Sequence, residues 1–128
     1  MLPELAEGQT IRFERPITED DVLKFADVSG DKGRHHMEKD QQGRLMAHGL
    51  LTATLPTKLG GDLNYMARKM AFDFMQPVYS GDTLICVGTV VSILRRPKRL
   101  KARFSFEIKN QHGDIVATGS TFGFILDQ

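Results

Sequence analysis

Met46-Ala-His-Gly-Leu-Leu-Thr-Ala-Thr-Leu-Pro-Thr-Lys-Leu59 decides the fold. It is the one apolar segment of helical length after a polar central loop, and Leu50, Leu51, Ala53, Thr54 and Leu55 leave it little polar surface. A helix this apolar belongs in the interior, so the remaining elements must cover it. Pro56 lacks an amide N–H, which predicts a kink or an early stop near Thr57, and Gly60-Gly61 should end the element.

Downstream of Asn64 the period changes from helical to two. Ala102, Phe104, Phe106 and Ile108 fall on one face, and Lys101, Arg103, Ser105, Glu107 and Lys109 on the other, the pattern of a half-buried strand. The same reading places strands at 66–75, 83–94, 100–110 and 114–126. Turn signals at Tyr79-Ser-Gly-Asp82, Arg96-Pro-Lys98 and Gln111-His-Gly-Asp114 separate them. Taken in order they predict a four-stranded antiparallel meander, and with the buried helix laid on it an α+β fold.

Upstream, residues 8–15 alternate as a short strand. Thr18 then reads as the N-cap of a helix with acidic residues in its first turn, running through Val22, Leu23, Phe25 and Ala26 and ending before Gly30. From Ser29 to Gly43 the chain is polar and glycine-containing, a structured loop of the kind that carries functional groups.

With 128 residues the chain is expected to form one domain, 1–128. Seventeen basic residues nearly cancel sixteen acidic ones, for a net charge of +1, so the charge footprint of a general nucleic-acid binder is missing. The acidic start of the chain does not fit a signal peptide, and no run approaches the roughly eighteen apolar residues of a membrane span. The single cysteine, Cys86, alternates within a strand as a small buried residue, and a lone cysteine suits a reducing, cytoplasmic setting. Arg95, Arg96, Lys98, Arg99, Lys101 and Arg103 crowd one hairpin. They suit either a solvated strand edge or the acidic groups of a carrier.

Two constellations carry chemistry. Asp31 and His36 lie five residues apart on the loop, and turns at Gly30 and Gly33 allow their side chains to converge. A carboxylate beside an imidazole suits proton transfer near neutral pH, whereas an Asp capping a turn beside a surface His is the plainer reading of the same spacing. Ala47-His48-Gly49 stands where the loop enters the apolar helix. Unpaired N–H groups there suit an oxygen that gains negative charge, or else Gly49 only relieves crowding. His35, His36, Glu38 and His48 match no metal-ligand spacing, so no metal is expected.

Phe25-Ala-Asp-Val-Ser-Gly-Asp31, His36, Gly43-Arg-Leu-Met-Ala-His-Gly49 and Phe74-Met-Gln-Pro-Val-Tyr-Ser-Gly-Asp-Thr83, in this order, resemble the MaoC-like dehydratases and their (R)-specific enoyl-CoA hydratases. The resemblance implies a hotdog fold, an antiparallel sheet wrapped around a central helix, and a dimer with its active sites near the subunit interface. It implies a hydro-lyase that interconverts trans-2-enoyl and 3-hydroxyacyl thioesters of coenzyme A or an acyl-carrier protein, with no other cofactor. The family's D-x-N-P-x-H motif places the roles of water-holding acid and base on Asp31 and His36, and the oxyanion donor falls on the Gly49 N–H. Ser29, Ala47 and His48 would line the substrate. Gly33 and Arg34 stand where the motif has Asn and Pro, and the interval from His36 to His48 is shorter than usual. A non-catalytic acyl-binding hotdog domain is the alternative implied. A thioesterase would carry a carboxylate on the central helix, where 46–59 has none.

Overall fold

The computed structural model describes residues 2–127. Strand β1 (Thr10–Pro16) leads into helix α1 (Glu19–Ser29). The one-turn helices α2 (Arg34–Met37) and α3 (Gly49–Thr52) follow, then α4 (Thr54–Asp62) and strands β2 (Tyr65–Phe74), β3 (Thr83–Arg96), β4 (Arg99–Lys109) and β5 (Ile115–Leu126). All five strands join one antiparallel sheet in the order β1-β3-β4-β5-β2. Among the described residues no helix is long and apolar enough to cross a membrane.

Helix α1 starts and stops as its sequence dictates. The Thr18 side chain accepts the Asp21 N–H and the Asp21 carboxylate accepts the Thr18 N–H, a closed capping box. Gly30 ends the helix at φ 77°, a left-handed conformation that glycine adopts without penalty, and its N–H donates to the Ala26 carbonyl.

The apolar segment is helical, with different limits from those its composition suggests. It starts at Gly49, breaks at Ala53 and continues through Gly60-Gly61 to Asp62. Pro56 causes the break, one turn ahead of where a stop was expected. Its ring crowds the carbonyl four residues back, that of Thr52, while Pro56 itself sits in the first turn of α4, where an N–H has no helical partner. Thr54 Oγ1 donates to the Leu51 carbonyl at 2.5 Å and so covers one of the freed acceptors.

Leu51, Leu55 and Leu59 are buried in one core cluster with Leu84, Cys86, Val90, Phe104 and Ile108 of the sheet. Strand β4 buries Ala102, Phe104, Phe106 and Ile108, the residues its alternation assigned to the core. Burial pushes the Cys86 thiol up to about 12, as befits a packing residue rather than a nucleophile.

The expected four-stranded meander is only partly present. Strands β3, β4 and β5 run as a meander, but β2 lies at the far edge against β5 instead of beside β3. Two glycines of β5 permit that pairing: a Cβ on Gly119 would overlap the Phe72 ring, and one on Gly123 would overlap the Met66 carbonyl. The β2–β3 connection therefore crosses the head of the helix segment, where Val78 O accepts the Ala47 N–H and Leu45 O accepts the Ser80 N–H. This crossing roofs the functional site.

Candidate active site

Past Gly30 the loop folds on its own polar groups. Ser29 Oγ accepts the Asp31 N–H at 3.0 Å, and Asp31 Oδ1 accepts the Gly33 N–H at 3.1 Å. The Gly33 carbonyl then accepts the His36 N–H at 2.9 Å and opens the single turn α2. The turn between Asp31 and His36 is thus closed by the Ser29 and Asp31 side chains and the Gly33 carbonyl, without an Asn-Pro pair.

His36 is 5% exposed and its Nδ1–H donates to the Met46 carbonyl at 2.6 Å. That bond assigns the tautomer and leaves Nε2 free, facing Asp31 Oδ2 at 3.5 Å. The separation is too long for a good direct hydrogen bond. With Nε2 unprotonated, two acceptors at this separation are suited to a water that donates one O–H to each. The Gly33 N–H, and then the neighbouring rings of His36, His48 and His35, hold the Asp31 carboxyl below its ordinary value of 3.8, against a partial desolvation acting the other way.

His48 caps α3 and is 3% exposed. Its Nε2–H donates to the Asp31 main-chain carbonyl at 2.9 Å, and its ring stacks on His36 with centroids 3.6 Å apart and planes at 15°. Phe25 packs against the ring of His48, with centroids 4.9 Å apart. One ligand atom each from Asp31, His36 and His48 falls within 4.8 Å of the others. Stacked imidazoles send their lone pairs side by side, whereas a metal near 2.1 Å needs them to converge. Glu38, also considered as a ligand, instead faces Arg34 at 3.5 Å.

A cavity of about 350 Å³ opens beside this group. His35 and His36 form one wall, Ala47, Gly49 and Thr52 the head of the helix segment, and Phe74 and Met75 the end of β2. Gly49 is the first residue of α3, so its N–H has no intrahelical acceptor. It also makes room for a neighbour, since a Cβ there would stand 2.9 Å from the Phe74 ring.

The structure therefore sets His36, Ala47 and Gly49 on the cavity wall, holds Asp31 beside His36 without itself lining the cavity, and gives the other two candidates different surroundings. Ser29 braces the Asp31 turn and is not among the cavity residues, and His48 lies behind His36. Ala47 contributes wall only, its N–H being bound to Val78. Sequence reasoning missed the Met46 carbonyl and Val116, a main-chain acceptor and a distant strand residue for which no local pattern exists. In the Phe74-Met-Gln-Pro77 stretch the sequence reads Met75 as core or tunnel lining and Pro77 as part of the turn before Thr83, and Met75 does line the cavity.

An antiparallel sheet around a central helix, with an Asp–His pair at the helix head, defines a hotdog-fold protein equipped for proton transfer. The chain is 27% identical to an (R)-specific enoyl-CoA hydratase of Rhodospirillum rubrum, over 91% of this chain and 85% of that one. Its structure superposes on the unliganded R-hydratase PhaJ1 from Pseudomonas aeruginosa with a TM-score of 0.83 at 27% identity, covering 98% of this chain and 84% of that one. The (R)-hydratase from A. caviae involved in PHA biosynthesis gives a TM-score of 0.80 at 26% identity, covering 93% and 96%. No family model matches the chain. The resemblance to MaoC-like dehydratases and (R)-specific enoyl-CoA hydratases is borne out in sequence and in fold over nearly the whole length.

Proposed function

We propose that the protein interconverts trans-2-enoyl thioesters and (R)-3-hydroxyacyl thioesters by reversible addition of water. The observation that carries this reading is the 3.5 Å separation of His36 Nε2 and Asp31 Oδ2 beside the cavity headed by Gly49. Water held between the two acceptors loses a proton to the pair as its oxygen bonds to C3. C2 takes a proton from the pair, and in between the thioester oxygen carries enolate charge next to the Gly49 N–H. Elimination runs the same steps backward. The only coenzyme involved is the coenzyme A or acyl-carrier group that brings the acyl chain, and the lone reduced Cys86 suits a cytoplasmic setting.

The relatives support the reaction class by name, and the closure of the Asp31 turn by Ser29 Oγ, Asp31 Oδ1 and the Gly33 carbonyl answers the missing Asn and Pro. Thioester hydrolysis has less support. The carboxylate on the central helix segment, Asp62, ends α4 and pairs with Lys58 at 2.5 Å, and it is not among the cavity residues. Disappearance of the conjugated enoyl-thioester absorbance tests the proposal. Asp31→Asn and His36→Ala should each slow it by about 10²- to 10⁴-fold, and equal rates in all three proteins would sink the assignment.

We also infer a homodimer joined through β2. This ten-residue strand is a free edge, and it exposes Met66, Met70, Phe74 and, just beyond it, Met75. A second copy pairing there would cover that row and complete the cavity wall at Phe74 and Met75. Sedimentation should give twice the mass of 14.4 kDa, and a monomer at micromolar concentration would refute it.

A further inference from the structure

Helix α4 and the sheet enclose a second cavity, of about 110 Å³, that shares no lining residue with the first. Its walls are apolar, formed chiefly by Ile11, Pro56, Leu59, Met70, Phe104 and Phe106. Hydroxyls interrupt this surface. Thr57 Oγ1 is committed, donating to the Ala53 carbonyl at 3.0 Å. Tyr65 and Thr121 bond to each other, Oη to Oγ1, at 3.0 Å, and Thr121 is 4% exposed.

The two hydroxyls bring two protons and their mutual bond uses one. Whichever donates, the other O–H has no acceptor among the described residues. Burial also keeps the Tyr65 phenol in its neutral, donating form, its pKa raised above the ordinary 10.0. A spare donor against an apolar cavity is unfavourable unless something accepts from it.

The two cavities follow one another along the same elements. Gly49 and Thr52 line the first and Pro56 and Leu59 the second, while on β2 Phe74 lines the first and Met70 the second. Gly49 and Pro56 are seven residues apart, roughly 10 Å at a helical rise. The volume is somewhat below that of an engineered cavity of about 150 Å³ that accepts benzene, room for a few carbons and one oxygen.

We propose that the second cavity receives the far end of the acyl group, and that the Tyr65–Thr121 pair selects chains bearing a hydroxyl or oxo oxygen there over plain hydrocarbon chains. The proposal rests on the thioester reading of the first cavity. A chain oxygen takes the spare proton, and a plain chain leaves it unmet while still filling the apolar wall.

Binding separates this claim from turnover. Saturated acyl-CoA thioesters of increasing length, each with and without a terminal hydroxyl, are titrated into the protein by calorimetry. At the length that reaches the pair, the hydroxylated ligand should bind about tenfold more tightly. Thr121→Val and Tyr65→Phe, both close in shape to the native side chains, should each still leave one unpaired O–H and so keep the preference, whereas the two combined should abolish it and leave the plain chain bound as well or better. Equal binding of both ligands at every length, or a preference that survives the two substitutions combined, overturns the proposal alone. Failure of every acyl-CoA to bind overturns it together with the thioester reading.

Discussion

His48→Phe separates two roles for a residue that the family resemblance would put against the substrate. Phenylalanine keeps a ring between Phe25 and His36 but deletes the Nε2–H that holds the Asp31 carbonyl at 2.9 Å. Asp31 is half exposed, so water can replace the lost donor and the stability loss should stay near the net value of one hydrogen bond, about 1 kcal/mol. For a chain of 128 residues that lowers the melting temperature by about 3–5 °C. The kinetic cost is larger. Asp31 would lose its tie to the head of α3, and misplacement by about 1 Å can cost on the order of 100-fold. Steady-state hydration of a 2-enoyl thioester should show kcat reduced by about 10- to 100-fold with KM within about twofold. A change confined to KM would refute positioning and restore substrate contact as the role of His48; an unchanged kcat would remove His48 from the site altogether.

Three further outcomes are expected. Because Asp31 is held below 3.8, its carboxylate contributes stability that is present above the unfolded value and lost only as pH falls through the lower folded one. Asp31→Asn should therefore leave any acid limb of the kcat/KM profile above pH 5 in place, and disappearance of that limb would contradict the assignment. Cys86, raised to about 12, stays protonated when folded, so unfolding is favoured progressively as pH rises above 9.0. Thiol reagents at pH 8 should label it only in denaturant, and fast native labelling would refute its burial. Gly123→Ala forces a Cβ onto the Met66 carbonyl, a main-chain atom that cannot swing aside. It should cost about 1–3 kcal/mol and loosen β2, read as faster amide exchange over residues 65–74.

What the sequence determined alone is local. The alternation of Ala102, Phe104, Phe106 and Ile108, the Thr18 N-cap and the Gly30 stop depend on backbone angles and on neighbours within one turn or one pleat, and each stands as read. The strand edges shifted by a residue or two for the same reason that helix ends fray. Even the break forced by Pro56 was legible in kind, and only its place was wrong, because the clash acts on the carbonyl four residues upstream. What tertiary structure decided are relations between distant residues. Strand β2 chose the β5 edge because Gly119 and Gly123 leave it room, a fact invisible until both strands are set side by side. His36 finds its acceptor 10 residues away, His48 its acceptor 17 away, and Tyr65 its hydroxyl partner 56 away. Asp31 and His36 could be named from their spacing. Their separation, the tautomer of His36 and the cavity that His36 lines follow only once the helix head, the loop and β2 pack together, since convergence in space has no period along the chain.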